Sequence, residues 1–132
     1  MANTNAGERP QPSPRETILL VEDEAVVRRL FVKALTESGY RVLEAADGSE
    51  GLEVFGRHAA SIDLLVTDLR MPTLGGVELA ERVRALRPSV KLVCMSGYPS
   101  GDISHLGADF LAKPFSRDIL LAKVREVLDR GR

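Results

Sequence analysis

Leu64-Leu65-Val66-Thr67-Asp68-Leu69-Arg70-Met71-Pro72 decides the fold. It opens as an apolar, β-branched run of the kind that forms a strand buried on both faces. It halts at Asp68, and Pro72 blocks an immediate return to regular structure. In open α/β sheets, ligands gather beyond the carboxyl ends of the strands, so a carboxylate at that place is informative. One Asp on its own reads as a turn residue. Its weight depends on how the other strands end.

The same pattern recurs on either side. Thr17–Val21 predicts a buried strand that ends at Glu22-Asp23-Glu24. A helix follows, with Val26, Val27, Leu30, Phe31, Ala34 and Leu35 on one face, and Gly39 stops it. Residues 40–45 predict a second strand, less uniformly apolar, as suits an edge. Asp47-Gly48 marks a turn, and Ser49 is the expected cap of a helix carrying Leu52, Val54 and Phe55. Residues 63–67 form the third strand, ending at Asp68. Beyond loop 71–76, Val77, Leu79, Ala80, Val83 and Leu86 mark a third helix, closed by Pro88. Residues 90–95 predict a fourth strand ending at Ser96-Gly97, and Asp109–Ala112 a fifth ending at Lys113-Pro114. The last helix starts near Ser116 and carries Ile119, Leu120, Val124, Val127 and Leu128. All these helical stripes are read as core. Alternating strands and helices predict an α/β fold with a five-stranded parallel sheet covered on both faces. Right-handed crossovers leave few topologies, and the flavodoxin-like, doubly wound order 2-1-3-4-5 is the one expected.

Length and composition set outer limits. The 132 residues suit one domain, with 44% hydrophobic and 28% charged residues. Residues 1–15, polar and with Pro10, Pro12 and Pro14, are expected to be a disordered tail, and residues 16–130 the folded domain. A formal net charge of -1 suggests neither nucleic acid nor an anionic membrane as partner. The single Cys94 lies in an apolar run and is expected to be a buried, inert thiol, which fits a reducing compartment. No apolar stretch is long enough to span a bilayer or to serve as a signal-peptide core, so a cytoplasmic location is expected. His58 and His105 stand alone and are read as surface residues.

In the expected topology the strands ending at Glu22-Asp23, Asp68, Ser96 and Lys113 point the same way. Carboxylates, a hydroxyl and an ammonium therefore meet at one edge. Each alone has a bland reading as a cap, a turn residue or a solvated surface charge; their joint occurrence does not. Glu22, Asp23 and Asp68 repel one another unless a cation is present. Hard oxygen donors without a His or Cys cluster suit Mg²⁺ or Mn²⁺. A carboxylate beside such an ion can act as nucleophile in phosphoryl transfer, which needs positioning and charge neutralisation above all. Lys113 offers a point charge to phosphoryl oxygens, and Ser96 a hydrogen bond. No Gly-rich phosphate cradle is present, so no bound nucleotide is expected.

With these residues, and over about residues 16–130, the sequence resembles the receiver domain of two-component response regulators. The resemblance implies that Asp68 is the phospho-acceptor. It implies Asp23, Asp68 and the Arg70 backbone carbonyl as metal ligands, with Glu22 acting partly through water. Ser96 would be the switch hydroxyl and Phe110 the switch aromatic, and the Lys113-Pro114 bond would be cis. Met95-Ser96-Gly97-Tyr98 is similar to receivers of hybrid sensor kinases. A histidine kinase or histidine phosphotransfer domain is the implied phosphodonor, and an unidentified downstream protein the implied target. A weak homodimer is left open. The expected protein is a single-domain receiver with no DNA-binding or catalytic effector. It is not an enzyme, beyond assisting its own phosphorylation and dephosphorylation.

Two alternatives stand beside this reading. One is a constitutive protein-interaction module on the same fold. The other is a small Mg²⁺-dependent phosphohydrolase, whose second acid/base carboxylate would stand where this chain has Arg70. A flavodoxin-like electron carrier is weaker, because no phosphate-binding loop follows the first strand. The chain also departs from the family. Its acidic pair is Glu-Asp, Arg70 is cationic, and the span between Ser96 and Lys113 is short. Pro99, Gly101 and Gly107 lower helix propensity there, so residues 98–107 are expected to form a loop or at most one turn in place of a full fourth helix. Phosphorylation is expected to order that segment and create a partner site on it.

Overall fold

The computed structural model describes residues 15–97 and 104–130. Five strands, β1 (Thr17–Val21), β2 (Arg41–Ala45), β3 (Leu64–Asp68), β4 (Lys91–Ser96) and β5 (Asp109–Ala112), form one parallel sheet in the order β2-β1-β3-β4-β5. Four helices, α1 (Ala25–Glu37), α2 (Gly48–His58), α3 (Gly76–Leu86) and α4 (Arg117–Asp129), cover it. The flavodoxin-like order expected from the sequence is the one observed.

The strand pleat sorts the core into two layers. Leu19, Val21, Leu65, Leu92 and Cys94 pack beneath α2 and α3, with Phe55, Leu79 and Val83. Ile18, Leu20, Leu64, Val66, Val93 and Met95 pack beneath α1 and α4, with Leu35, Leu120 and Val124. β1 and β3 are buried along their whole length, whereas edge strand β2 is partly exposed, as its mixed composition predicts. Burial pushes the Cys94 thiol up to about 11, and His58 and His105 are exposed.

The helix ends follow local chemistry. Ser116 caps α4, its hydroxyl accepting from the Ile119 N–H at 3.2 Å. The cap of α2 is Asp47, not Ser49. The Asp47 carboxylate accepts from the Glu50 N–H at 2.8 Å, and Glu50 Oε1 accepts from the Ala46 N–H at 2.8 Å. These two bonds fix the start of the helix and leave Ser49 inside the first turn. α3 starts hard against the end of β3: a Cβ on Gly76 would lie 2.1 Å from the Asp68 carbonyl oxygen. Only a glycine lets the helix begin that close to Asp68.

The apolar stripes are not all core. Val26 (63%) and Leu30 (61%) on α1, Leu86 (59%) on α3 and Ile119 (52%) on α4 are more than half exposed. Their helices carry apolar arcs wider than the sheet can cover, so the inner residues are buried and the flanking ones reach the surface.

Between β4 and β5 the described residues carry a single 3₁₀ turn, Ser104–Leu106, with Leu106 buried against the α2/α3 layer. Residues 98–103, most of the segment expected to be loop-like, lie outside the described residues. So does the expected tail, apart from Arg15. Among the described residues, no helix is long and apolar enough to cross a membrane.

Candidate functional site

Because all strands are parallel, β1, β3, β4 and β5 finish on one edge and deliver Glu22, Asp23, Asp68, Ser96 and Lys113 to it. Asp68 is the last residue of β3 and is buried; Ser96 is the last of β4 and also buried. Lys113 follows β5 directly. Its N–H donates to the Ser96 carbonyl at 2.8 Å, which continues the β4–β5 pairing and turns its side chain towards β3 and β1. The following Lys113-Pro114 bond is cis.

The Lys113 ammonium donates to Glu22 Oε1 at 2.7 Å and to Asp68 Oδ2 at 3.2 Å. Glu22 is fully buried, and its second carboxylate oxygen accepts from the Glu24 N–H at 3.1 Å. Burial raises the Glu22 carboxyl above the usual range and outweighs the opposing pull of Lys113. For Lys113, burial acts to lower the ammonium's value, yet the bonds and charges of Glu22 and Asp68 together hold it above normal. The Thr67 hydroxyl donates to the Asp68 carbonyl at 2.9 Å, satisfying a buried group beside the carboxylate.

One carboxylate oxygen from each of Glu22, Asp23 and Asp68 lies within 4.8 Å of the others. Glu22 and Asp68 are buried while Asp23 faces solvent. Like charges about 4 Å apart repel by roughly 4 kcal/mol at an effective dielectric near 20. The Lys113 ammonium, shared between Glu22 and Asp68, does not neutralise all three carboxylates. A divalent cation fits this donor set, which is all hard oxygen, with Mg²⁺ or Mn²⁺ the matching ions. A cavity of about 250 Å³ opens over the cluster, lined by Asp23, Glu24, Asp68, Arg70, Ser96, Gly97 and Lys113.

A second, larger hollow of about 570 Å³ lies alongside, walled by Val27, Leu30 and Phe31 of α1 and by Pro114 and Phe115. Phe31 and Phe115 stack with centroids 5.1 Å apart, which joins α1 to the loop after β5. Glu24, Gly97 and Lys113 line both hollows, so the apolar groove runs directly into the charged cavity.

The structure thus brings together Glu22, Asp23, Asp68, Ser96, Lys113 and Arg70. Phe110 stands apart: it is 39% exposed on β5 and does not line the cavity. Sequence reasoning missed two features. Arg28 of α1 donates to the Glu22 carbonyl, and nothing in helix periodicity marks an arginine for that role. The groove was hidden because Val27, Leu30 and Phe31 share the spacing of core residues.

Comparison with known proteins gives a consistent result. Residues 18–125 match the family model of the response regulator receiver domain. The chain is 40% identical over 119 residues to the sensor kinase CckA of Brucella abortus, covering 86% of this chain and 13% of the kinase. It is 38% identical over 125 residues to the probable transcriptional regulator ycf27 of Porphyridium aerugineum, covering 88% of this chain and 49% of the regulator. The chain therefore spans about half or less of the curated relatives it matches. Among solved structures, the receiver domain from the hybrid histidine kinase CckA is 37% identical, with a TM-score of 0.77 over 86% of this chain and 99% of that one. A CheY-like response regulator receiver domain protein from Methanospirillum hungatei is 32% identical, with a TM-score of 0.80 over 87% and 94%.

Proposed function

The chain belongs to the response regulator receiver domain family, and from that premise we propose that Asp68 accepts a phosphoryl group and that residues 16–130 are the receiver. The observation that carries this reading is the position of the Lys113 ammonium. It bridges Glu22 and Asp68 beside an open cavity, where three carboxylate oxygens gather within 4.8 Å.

An Asp68 carboxylate oxygen attacks the phosphorus of a phosphohistidine. The P–N bond breaks with its electron pair left on the imidazole nitrogen, and a P–O bond forms an acyl phosphate on Asp68. Lys113 is already beside Asp68 and faces the incoming phosphoryl oxygens as a compensating charge. The Ser96 hydroxyl, at the end of the adjacent strand, donates to one of them. Mg²⁺ or Mn²⁺, when bound, supplies the charge neutralisation that phosphoryl transfer requires. Glu22, Asp23, Asp68 and the Arg70 carbonyl are the groups that would hold it.

The phosphodonor is a histidine kinase or histidine phosphotransfer domain, seated on the α1 groove that leads to Lys113. Movement of Ser96 towards the phosphoryl group, with Phe110 following, changes a surface read by a downstream protein in the cytoplasm. Phosphotransfer from a phosphorylated histidine phosphotransfer domain tests the assignment. The wild-type chain is expected to take up the label and Asp68→Asn to take up none, with an unchanged melting curve. Labelling of Asp68→Asn at the wild-type rate would remove Asp68 from the role. A wild-type chain that takes label from no donor would favour the constitutive interaction module.

A further inference from the structure

We propose that Arg28 is a positioning residue for the acidic pair, holding the Glu22-Asp23 turn in the geometry a divalent cation needs; this rests on the metal reading of the cluster given above. Arg28 is the fourth residue of α1, with only 18% of its side chain exposed. Its Nη1 donates to the Glu22 carbonyl at 2.8 Å, and its Nε donates to Glu44 Oε1 on β2 at 3.2 Å. One guanidinium thus ties α1, the end of β1 and β2 together.

The turn needs such a tie. Glu24, at the N-cap of α1, makes no side-chain cap bond, and no acidic residue stands in the helix's first turn. The usual side-chain device for fixing a helix start is therefore missing where the site residues leave β1. The Glu22 peptide is instead held by separate bonds. Its N–H donates to the Ala45 carbonyl at 3.2 Å, its carboxylate accepts from Lys113 and the Glu24 N–H, and its carbonyl accepts from Arg28. The Arg28 bond is the one made to the peptide plane that leads into Asp23. Glu44 precedes Ala45 on β2, so the Arg28–Glu44 contact anchors the clasp to the strand that already receives the Glu22 N–H. A lysine cannot reproduce the tie, because it lacks the planar fork that serves two acceptors at once.

The proposal makes a prediction opposite in sign to simple electrostatics. Arg28 is a positive charge near a cation site, so as a mere charge its removal would tighten Mg²⁺ binding. As a positioning residue its removal weakens binding, by about tenfold on the scale of groups that orient metal ligands. The experiment is calorimetric titration of Mg²⁺ into wild type, Arg28→Met, Arg28→Lys, Glu44→Gln and the Arg28→Met/Glu44→Gln double variant, with urea melts of each. Expected are weaker binding in Arg28→Met and Arg28→Lys alike, a smaller loss in Glu44→Gln, and a double variant no worse than Arg28→Met alone. Unchanged or tighter Mg²⁺ binding in Arg28→Met would overturn the proposal, whatever happens to stability. Absence of Mg²⁺ binding in the wild type would instead overturn the metal reading beneath it. If Arg28→Met is too unstable to titrate, Arg28→Lys and Glu44→Gln carry the same comparison.

Discussion

The two ends of the sheet hold charged clusters of opposite character. At the amino end, acids and bases alternate. Glu16, nearly buried, accepts from both terminal nitrogens of Arg125 at 2.9 and 3.2 Å, and Arg125 also meets Tyr40 Oη and Asp129. Asp109 pairs with Arg130 and Lys123. At the carboxyl end, the Lys113 ammonium is shared between Glu22 and Asp68, with Asp23 beside them and Arg70 on the same cavity wall. Both clusters gather at the ends of strands, yet in one each named acid has a basic partner and in the other three carboxylates crowd together. Pairing of the first kind fastens α4 to the sheet. Excess charge of the second kind costs stability and persists where a cation or a phosphoryl group uses it.

Changes at the two ends therefore separate function from stability. The largest expected effect is at the carboxyl end. Asp23→Ala removes an exposed carboxylate and is expected to weaken Mg²⁺ binding by about two orders of magnitude, roughly 3 kcal/mol of lost attraction, with little change in the metal-free fold. Titration calorimetry measures it; an unchanged affinity would move the cation away from Asp23.

Next in size is Arg125→Met, which leaves buried Glu16 without its bidentate partner. With the partial exposure of Arg125 allowed for, the loss is about 2 kcal/mol, or a Tm lower by roughly 8 °C, with Mg²⁺ affinity untouched. If Mg²⁺ affinity fell alongside Tm, the two ends would be coupled and the contrast between them would fail.

The smallest effect is in acid. The hydrogen bond from Arg130 holds the Asp109 carboxyl below its usual value, against a lesser opposing effect of burial. A carboxylate depressed in the fold contributes stability that is full above the unfolded value near pH 3.9 and is lost as pH falls through the lower folded value. Asp109→Asn is expected to be slightly less stable at neutral pH and to lose less stability on acidification. Urea melts across that range would show the shallower acid limb, and identical limbs would contradict the pairing.

The sheet and most of the site were legible in the sequence for a physical reason. In a parallel sheet, the residue that ends each apolar run is carried to the same edge, so Asp23, Asp68, Ser96 and Lys113 could be collected without knowing any distance. What depended on side-chain reach was not legible. The Arg28 clasp lies in a helix whose pattern says only that position 28 is polar. Val26 and Leu30 have the spacing of core residues, and their exposure follows from the width of the layer beneath them. Asp47 displaced Ser49 as the α2 cap because its carboxylate takes the Glu50 N–H while the Glu50 side chain takes that of Ala46, a pairing that a single candidate cap does not reveal.

The excess charge at the carboxyl end is tested most directly by labelling the wild-type chain with a small acyl or amidophosphate donor. The reaction is run with Mg²⁺ and with a chelator, and the product is mapped by mass spectrometry. The expected result is one phosphoryl group per chain, on the peptide containing Asp68, formed only when Mg²⁺ is present. A label that forms equally well in chelator, or that maps to another residue, would contradict it.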